Sequence, residues 1–298
     1  MRTLEQILSL RTYVRGIRET RQGGKLIGFV PTMGALHEGH LSLIRKAKAD
    51  CDVVIASIFV NPTQFGPKED LAAYPRTFAR DQQLCMEEGV DALFAPTVEE
   101  VYPSGFQTVV TVPEIAKTLE GEIRPGHFAG VATVVLKLLN IVLPDRLYLG
   151  QKDFQQALVV DRMMQDLNHP AELSLVPTVR AADGLALSSR NAYLSAGERR
   201  SATVLYGALQ AARAVVEAGE MSAEVALEAM NQVITNEPLA RPDYICIVNP
   251  ATLNPVERVD EAASLAVLAV RIGTTRLIDN AILIPPGSAT TRLRFMWP

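Results

Sequence analysis

Apolar and polar positions along the first 180 residues alternate so as to predict strands and helices in turn. Residues 26–30, 53–59, 92–94 and 146–149 read as strands. The stretch 53–59 is almost unbroken apolar sequence, as expected of a strand buried on both faces. Residues 41–49, 78–88, 129–142 and 153–167 read as helices, and in the last Ala157, Val160, Met164 and Leu167 share one apolar stripe. This alternation predicts an α/β fold with a parallel sheet. Ligands in such sheets sit at the carboxyl ends of strands.

The pattern changes after about residue 180. Ser195-Ala-Gly-Glu198 is a capping box opening a helix. Ala202, Leu205, Leu209, Ala212 and Val216 continue as the apolar stripe of that same helix, with Gly219 as its stop. A second helix is expected over 222–235, then strands at 244–248, 265–270 and 275–278. Helices followed by strands predict a smaller α+β domain. The expected division is 1–180 and 181–298, with no repeat, low-complexity tract or long linker.

The 298 residues, 48% of them hydrophobic, are enough for a sizeable core. A net charge of −4 argues against general nucleic-acid affinity, which needs a basic footprint. The N-terminus carries no secretory pattern. The most apolar helical stretch, 131–143, is interrupted by Lys137 and Asn140 and falls short of the ~20 residues a membrane span needs. Cys51, Cys85 and Cys246 are widely spaced and odd in number, which predicts free thiols in a reducing compartment rather than disulfides or a zinc site. A cytoplasmic protein with neither membrane nor nucleic-acid partner is expected.

Candidate chemistry begins at Pro31-Thr-Met-Gly-Ala-Leu-His-Glu-Gly-His40, between a predicted strand and a predicted helix. A helix N-terminus offers unpaired N–H groups and a positive dipole end, so this junction is a candidate phosphate site. Gly34 and Gly39 allow close backbone approach, and His37 and His40 are expected to share one face of the first turn. The spacing Gly34-x4-Gly39 resembles half a P-loop, but His40 and Leu41 stand where its Lys and Ser/Thr belong. No glycines are spaced G-x-G, so the dinucleotide fingerprint is absent.

Four further segments carry candidate residues. Gly150-Gln-Lys-Asp-Phe-Gln-Gln156 also joins a strand to a helix, with Lys152 a candidate phosphate ligand and Asp153 a candidate cap. In Asp183-Gly-Leu-Ala-Leu-Ser-Ser-Arg-Asn191, a turn at Asp183-Gly184 precedes Ser188, Ser189 and Arg190, a natural grip for polyphosphate oxygens. Phe59-Val-Asn-Pro-Thr-Gln-Phe-Gly66 offers Asn61 and Gln64 to a small polar substrate, in a loop that Pro62, Gly66 and Pro67 punctuate like a lid. Arg124-Pro-Gly-His-Phe-Ala-Gly130 leads into an apolar helix, either lining the site or capping that helix.

In this order, PTMGALHEGH, FVNPTQF, RPGHFAGVATVVLKL, GQKDFQQ and DGLALSSRN resemble the pantothenate synthetase (pantoate–beta-alanine ligase) family. The likeness runs through residues 26–195, and the C-terminal part agrees in size and in its Arg276-Leu-Ile-Asp-Asn280. It implies a Rossmann-like parallel-sheet domain of the nucleotidylyltransferase type, with the smaller C-terminal α+β domain closing over the active site. It implies ATP-dependent joining of (R)-pantoate to beta-alanine through pantoyl adenylate, releasing AMP and pyrophosphate. It implies that His37, His40, Lys152, Ser188, Ser189 and Arg190 stabilise the phosphate charge, His40 being the family's nominal proton donor. Met33, Gly34, Ala35, Leu36, His37, Glu38, Gly39 and His40 carry over to the ATP site. So do Gly150, Gln151, Lys152, Asp153, Val179, Leu187, Ser188, Ser189 and Arg190. Gln64 and Gln156 carry over to pantoate, Gln64 also to beta-alanine. Mg2+ is expected on the ATP phosphates without a protein cage, and a homodimer is implied.

Two other readings compete. A nucleotidylyltransferase acting on a small phosphorylated substrate shares the H-x-G-H junction but leaves FVNPTQF and GQKDFQQ unexplained. A non-catalytic nucleotide-binding module leaves both histidines, Lys152 and Arg190 without a purpose.

Overall fold

The computed structural model describes residues 1–19, 24–67, 69–259 and 263–287. The chain forms two compact units. One comprises Met1–Gly150 and Gln155–Val176; the other comprises Gln151–Phe154 and the described residues from Pro177 onward.

In the first unit the elements run β1 (Arg2–Leu4), α1 (Ile7–Glu19), β2 (Ile27–Thr32), α2 (Glu38–Asp50), β3 (Val53–Ile58), α3 (Phe78–Glu87) and β4 (Ala92–Phe94). Three single-turn helices follow, α4 (Val98–Val101), α5 (Pro113–Ala116) and α6 (Glu120–Ile123), then α7 (His127–Val142), β5 (Arg146–Gly150), α8 (Phe154–Asp166) and β6 (Glu172–Val176). The sheet is six-stranded in the order β1-β4-β3-β2-β5-β6, and every pairing is parallel. Its central strands are largely apolar because helices cover both faces: Phe29, Val30, Val54, Ile55, Leu93 and Leu147 are all fully buried. From β2 the chain steps outward through β3 to β4, which lies beside the edge strand β1, then returns to β5 on the other side of β2. The strand order therefore reverses between β2 and β5, and the crevice at their carboxyl ends is the topological switch point.

Besides the single-turn helices α4, α5 and α6, three elements of this unit are not read from the sequence pattern. β1 is three residues of mixed polarity at the sheet edge. α1 buries only Leu10 and Val14, one turn apart. β6 has a half-polar sequence at the opposite edge. Each packs on one side only, so its apolar signal is weak.

In the second unit, α9 (Ala196–Ser201), α10 (Val204–Glu217) and α11 (Ala223–Thr235) precede β7 (Ala240–Val248), β8 (Ser264–Ile272) and β9 (Thr275–Leu283). These strands form an antiparallel sheet, β7-β8-β9. Leu205, Leu209, Met230, Ala266, Leu268 and Leu277 share its core with the helices. The capping box at Ser195 and Glu198 is present. The single helix expected from it through Val216 is instead two, broken at Ala202–Thr203. The Thr203 hydroxyl takes the Arg200 carbonyl at 2.7 Å, and the Thr203 N–H takes the same oxygen at 3.2 Å. That carbonyl is the one the fourth residue on would need, so the α ladder stops there.

Candidate active site

At the carboxyl end of β2 the backbone is shaped before any side chain acts. The Thr32 hydroxyl donates to the Ser57 carbonyl at 2.7 Å and accepts the Gly34 N–H at 3.1 Å. Gly34 (φ 84°) and Ala35 (φ 51°) are both left-handed. For Ala35 this conformation costs roughly 1 kcal/mol. The compensation comes from Asp81 on α3, which is 1% exposed. Its carboxylate accepts the N–H of Ala35 at 2.9 Å and of Leu36 at 2.8 Å, and both oxygens lie 3.1 Å from the Thr77 hydroxyl. A Cβ on Gly34 would sit 3.1 Å from Asp81 Oδ2 and from Ile58. Asp81 is absent from the residues read as chemical in the sequence; its only trace there is a carboxylate one turn before Cys85 on an inward face.

α2 then begins with an imidazole capping box. His37 is the N-cap, its Nδ1 accepting the Gly39 N–H at 3.1 Å, and His40 Nδ1 accepts the His37 N–H at 3.4 Å. The rings lie 4.2 Å apart, centroid to centroid. A backbone N–H can only donate, so both Nδ1 atoms are acceptors and each neutral ring carries its proton on Nε2. The expectation of unpaired N–H groups at this helix end is thereby corrected at four residues. The N–H groups of His37 and Gly39 go to the imidazoles, and those of His40 and Leu41 to the His37 carbonyl. Gly39 is obligatory: a Cβ there would lie 2.9 Å from the His37 ring.

The segment after β3 forms a 3-10 turn, Pro62–Gln64, rather than an open loop. Gln64 is buried, its Oε1 accepting from Asn61 Nδ2 at 3.1 Å and its Nε2 3.2 Å from Met33 Sδ. The candidate substrate amide therefore lies against a residue of the candidate ATP segment. Asn61 is 1% exposed and is spent internally. Its Nδ2 also reaches the Gly130 carbonyl, and its Oδ1 accepts from Thr63 and, at 2.9 Å, from the Tyr102 hydroxyl. In these contacts Asn61 holds the Gln64 side chain.

Residues 124–130 brace the same turn. His127 Nδ1 is 2.8 Å from the Gln64 carbonyl, so Nδ1 carries the proton and Nε2 accepts from Arg124 at 3.1 Å. Arg124 pairs with Glu69 through two nitrogens. Burial, and then the Arg124 charge, depress the His127 pKa to about 4, outweighing the Gln64 carbonyl and the carboxylates of Glu69 and Glu120. Burial opposes the charge on Glu69, but the Arg124 hydrogen bonds and charge hold its pKa below the ordinary value. A Cβ on Gly130 would fall 2.4 Å from the Thr63 carbonyl oxygen, so α7 can approach this turn only with glycine there. In α8, Gln155 ties down the backbone of Ile115, Thr118 and Glu120, whereas Gln156, the candidate pantoate ligand, takes no part in that staple.

In the second unit Gln151–Asp153 form a 3-10 turn, so Asp153 closes that turn ahead of α8. Lys152 Nζ is 3.9 Å from Asp153. Val179 and Leu187 face each other in a short hairpin, the Leu187 N–H donating to the Val179 carbonyl at 3.0 Å. Its turn is at Gly184 (φ 91°), where a Cβ would strike the Tyr206 ring at 2.0 Å. Arg199 grips Asp183 with two nitrogens, which lowers the carboxyl's pKa. Ser188 caps a 3-10 turn, Ser189–Tyr193, its hydroxyl accepting the Arg190 N–H at 3.3 Å. This hairpin and cap hold Ser188, Ser189 and Arg190 consecutively on one rigid turn.

Among the described residues no group of three or more His, Cys, Asp or Glu side chains is placed to hold a metal ion. No helix among them is long and apolar enough to cross a membrane.

A family model of pantoate–beta-alanine ligases matches residues 2–282. A pantothenate synthetase of Moorella thermoacetica is 56% identical over 283 residues, 95% of this chain and 99% of that one. One from Rhizobium meliloti is 50% identical over 96% of this chain and 97% of its own. The crystal structure of pantothenate synthetase from Thermus thermophilus superposes with a TM-score of 0.90 at 49% identity, covering 96% of this chain and all of that one. The pantoate–beta-alanine ligase of Francisella tularensis, complexed with beta-gamma ATP and beta-alanine, superposes with a TM-score of 0.76 at 37% identity, over 95% of this chain and 97% of its own. With the imidazole capping box standing at the switch point of a parallel sheet, and with matches of this extent, the chain belongs to the pantoate–beta-alanine ligase family.

Proposed function

We propose that this chain condenses (R)-pantoate with beta-alanine at the expense of ATP, giving pantothenate, AMP and pyrophosphate. The observation that carries the reading is the pair of imidazoles on α2, both with Nδ1 occupied by backbone N–H groups. Two neutral rings with Nε2–H donors suit a polyanion that gains charge during reaction.

A carboxylate is a poor acyl donor, so pantoate is activated first. Its carboxylate oxygen forms a bond to the α-phosphorus, the Pα–O bond to pyrophosphate breaks, and pyrophosphate leaves with that electron pair. The amine of beta-alanine then bonds to the acyl carbon, loses a proton, and AMP departs with the electrons of the C–O bond. The first step needs positioned positive charge and donors rather than a covalent nucleophile. In this reading His37, His40, Lys152, Ser188, Ser189 and Arg190 supply them, and the backbone at 33–40, 150–153, Val179 and 187–190 shapes the ATP site. Gln64 and Gln156 bind the pantoate hydroxyls and carboxylate. Mg2+ travels on the ATP phosphates, since imidazole, ammonium and guanidinium groups are poor partners for a hard cation that prefers oxygen. The working form is a homodimer in the cytoplasm, a compartment that suits three free cysteines.

Isotope exchange tests the reading. Labelled pyrophosphate should enter ATP in the presence of pantoate and without beta-alanine. Exchange that required beta-alanine would remove the adenylate from the pathway.

A further inference from the structure

The Arg276-Leu-Ile-Asp-Asn280 stretch of β9 has no role in the chemistry above, yet its last two residues are buried polar side chains, each 3% exposed. Asn280 is fully committed. Its Nδ2 donates to the Gln151 carbonyl at 2.9 Å and to the Lys152 carbonyl at 3.0 Å, while its Oδ1 accepts from Gln151 Nε2 at 3.2 Å. A primary amide has two N–H donors, and here both go to successive carbonyls of the turn that bears Lys152. The partners are 128 and 129 residues distant in sequence, so the turn is held from a remote strand. The preceding residue, Asp279, pairs with Arg180 through both terminal nitrogens, and Arg180 also donates to the Gly184 carbonyl at 3.1 Å and lies over the Tyr206 ring. Two successive residues of one rigid strand thus hold the lysine turn and the hairpin that leads to Ser188, Ser189 and Arg190.

We infer that Asn280 is a positioning residue for Lys152, its carboxamide fixing the backbone from which the ammonium group reaches the phosphates. The inference rests on the reading of Lys152 as a phosphate ligand. A lysine with a long flexible stem is placed only as well as its backbone is placed. Asn280 therefore acts in adenylate formation, when pyrophosphate charge develops. It has no part in the later attack of beta-alanine, after pyrophosphate has gone.

The test is a double-mutant cycle on the two half-reactions, with thermal unfolding recorded for every variant. Asn280→Ala should slow pantoate-dependent pyrophosphate exchange ~10–100-fold, the scale for misplacing a reacting group by about 1 Å. Its KM for pantoate and its rate with preformed pantoyl adenylate plus beta-alanine should stay close to wild type, since an interaction made only in the transition state of the first step leaves both unchanged. The isosteric Asn280→Asp, which keeps the shape but turns oxygens toward two carbonyls, should be no better than alanine. Asn280→Ser, with one donor, should fall between and is the variant to use if alanine unfolds. In a Lys152→Ala background, Asn280→Ala should add little further loss. Additive losses in the cycle, equal losses in both half-reactions, or a wild-type rate for Asn280→Asp would overturn the inference while leaving the role of Lys152 intact. A wild-type exchange rate for Lys152→Ala alone would overturn both.

Discussion

His37 and His40 support one another across the first turn of α2: the His40 ring accepts the His37 N–H, and the His37 ring accepts the N–H of Gly39 between them. Two backbone N–H groups at the start of the helix are thereby satisfied by imidazole lone pairs, and the ring protons sit on Nε2. Capping, and in the proposed reaction the phosphate chemistry, fall to the same two side chains.

These two roles separate experimentally at His37. Asparagine is among the best N-cap residues, so His37→Asn should keep stability within ~0.5 kcal/mol of wild type. Without the ring donor, pyrophosphate exchange should still fall ~10²–10³-fold, the usual loss for one transition-state donor. His40→Ala should lose as much. Chemical denaturation beside exchange kinetics checks this, and wild-type rates in either folded variant would remove the residue from the mechanism.

Gly39→Ala should damage the site without touching a donor. The added methyl would stand 2.9 Å from the His37 ring, and the imidazole must turn aside. Activity should drop by about 10²-fold, as expected for displacing a reacting group by ~1 Å. A crystal structure of the variant should show the ring rotated off its cap.

Asp81→Ala should leave the buried N–H of Leu36 and the part-buried N–H of Ala35 without this acceptor and release Ala35 from its left-handed conformation. A loss of roughly 2–3 kcal/mol in unfolding free energy is expected. Ala35→Gly, which removes the conformational strain, should restore part of the exchange activity to Asp81→Ala. No recovery in the double variant would show that Asp81 does not act through that backbone.

His127 predicts a pH dependence of stability. Its folded pKa of about 4 lies below the ordinary 6.5. Between these values the unfolded chain binds a proton that the folded chain refuses. Its contribution is complete above pH 6.5 and is lost as pH falls toward 4, on the order of 3 kcal/mol in total. Urea unfolding at several pH values should show this slope in wild type and a shallower one in His127→Gln. Equal slopes would reject the assignment.

The alternation of strands and helices in the first unit was legible because central strands and amphipathic helices impose strong, regular apolar periods. The pairing of His37 with His40 was legible because three residues span less than one turn. The candidate chemical segments stand out for the same reason: 33–40, 150–153 and 188–190 each carry their residue types contiguously. Arg200 and Thr203 show the limit even at short range. There the apolar stripe continues across a break that one hydroxyl makes.

The supports of the site leave no such mark along the chain. Asp81 reaches Leu36 and Ala35 across 45 and 46 residues, His127 reaches Gln64 across 63, and Asn280 reaches Lys152 across 128. A hydrogen bond to a backbone N–H or carbonyl does not depend on which side chain its partner carries, so such contacts impose no pattern on the partner sequence. Local order and residue chemistry thus came from the linear pattern. Which carboxylate holds the histidine loop, which imidazole braces the glutamine turn and which amide carries the lysine were settled by how distant segments meet in three dimensions.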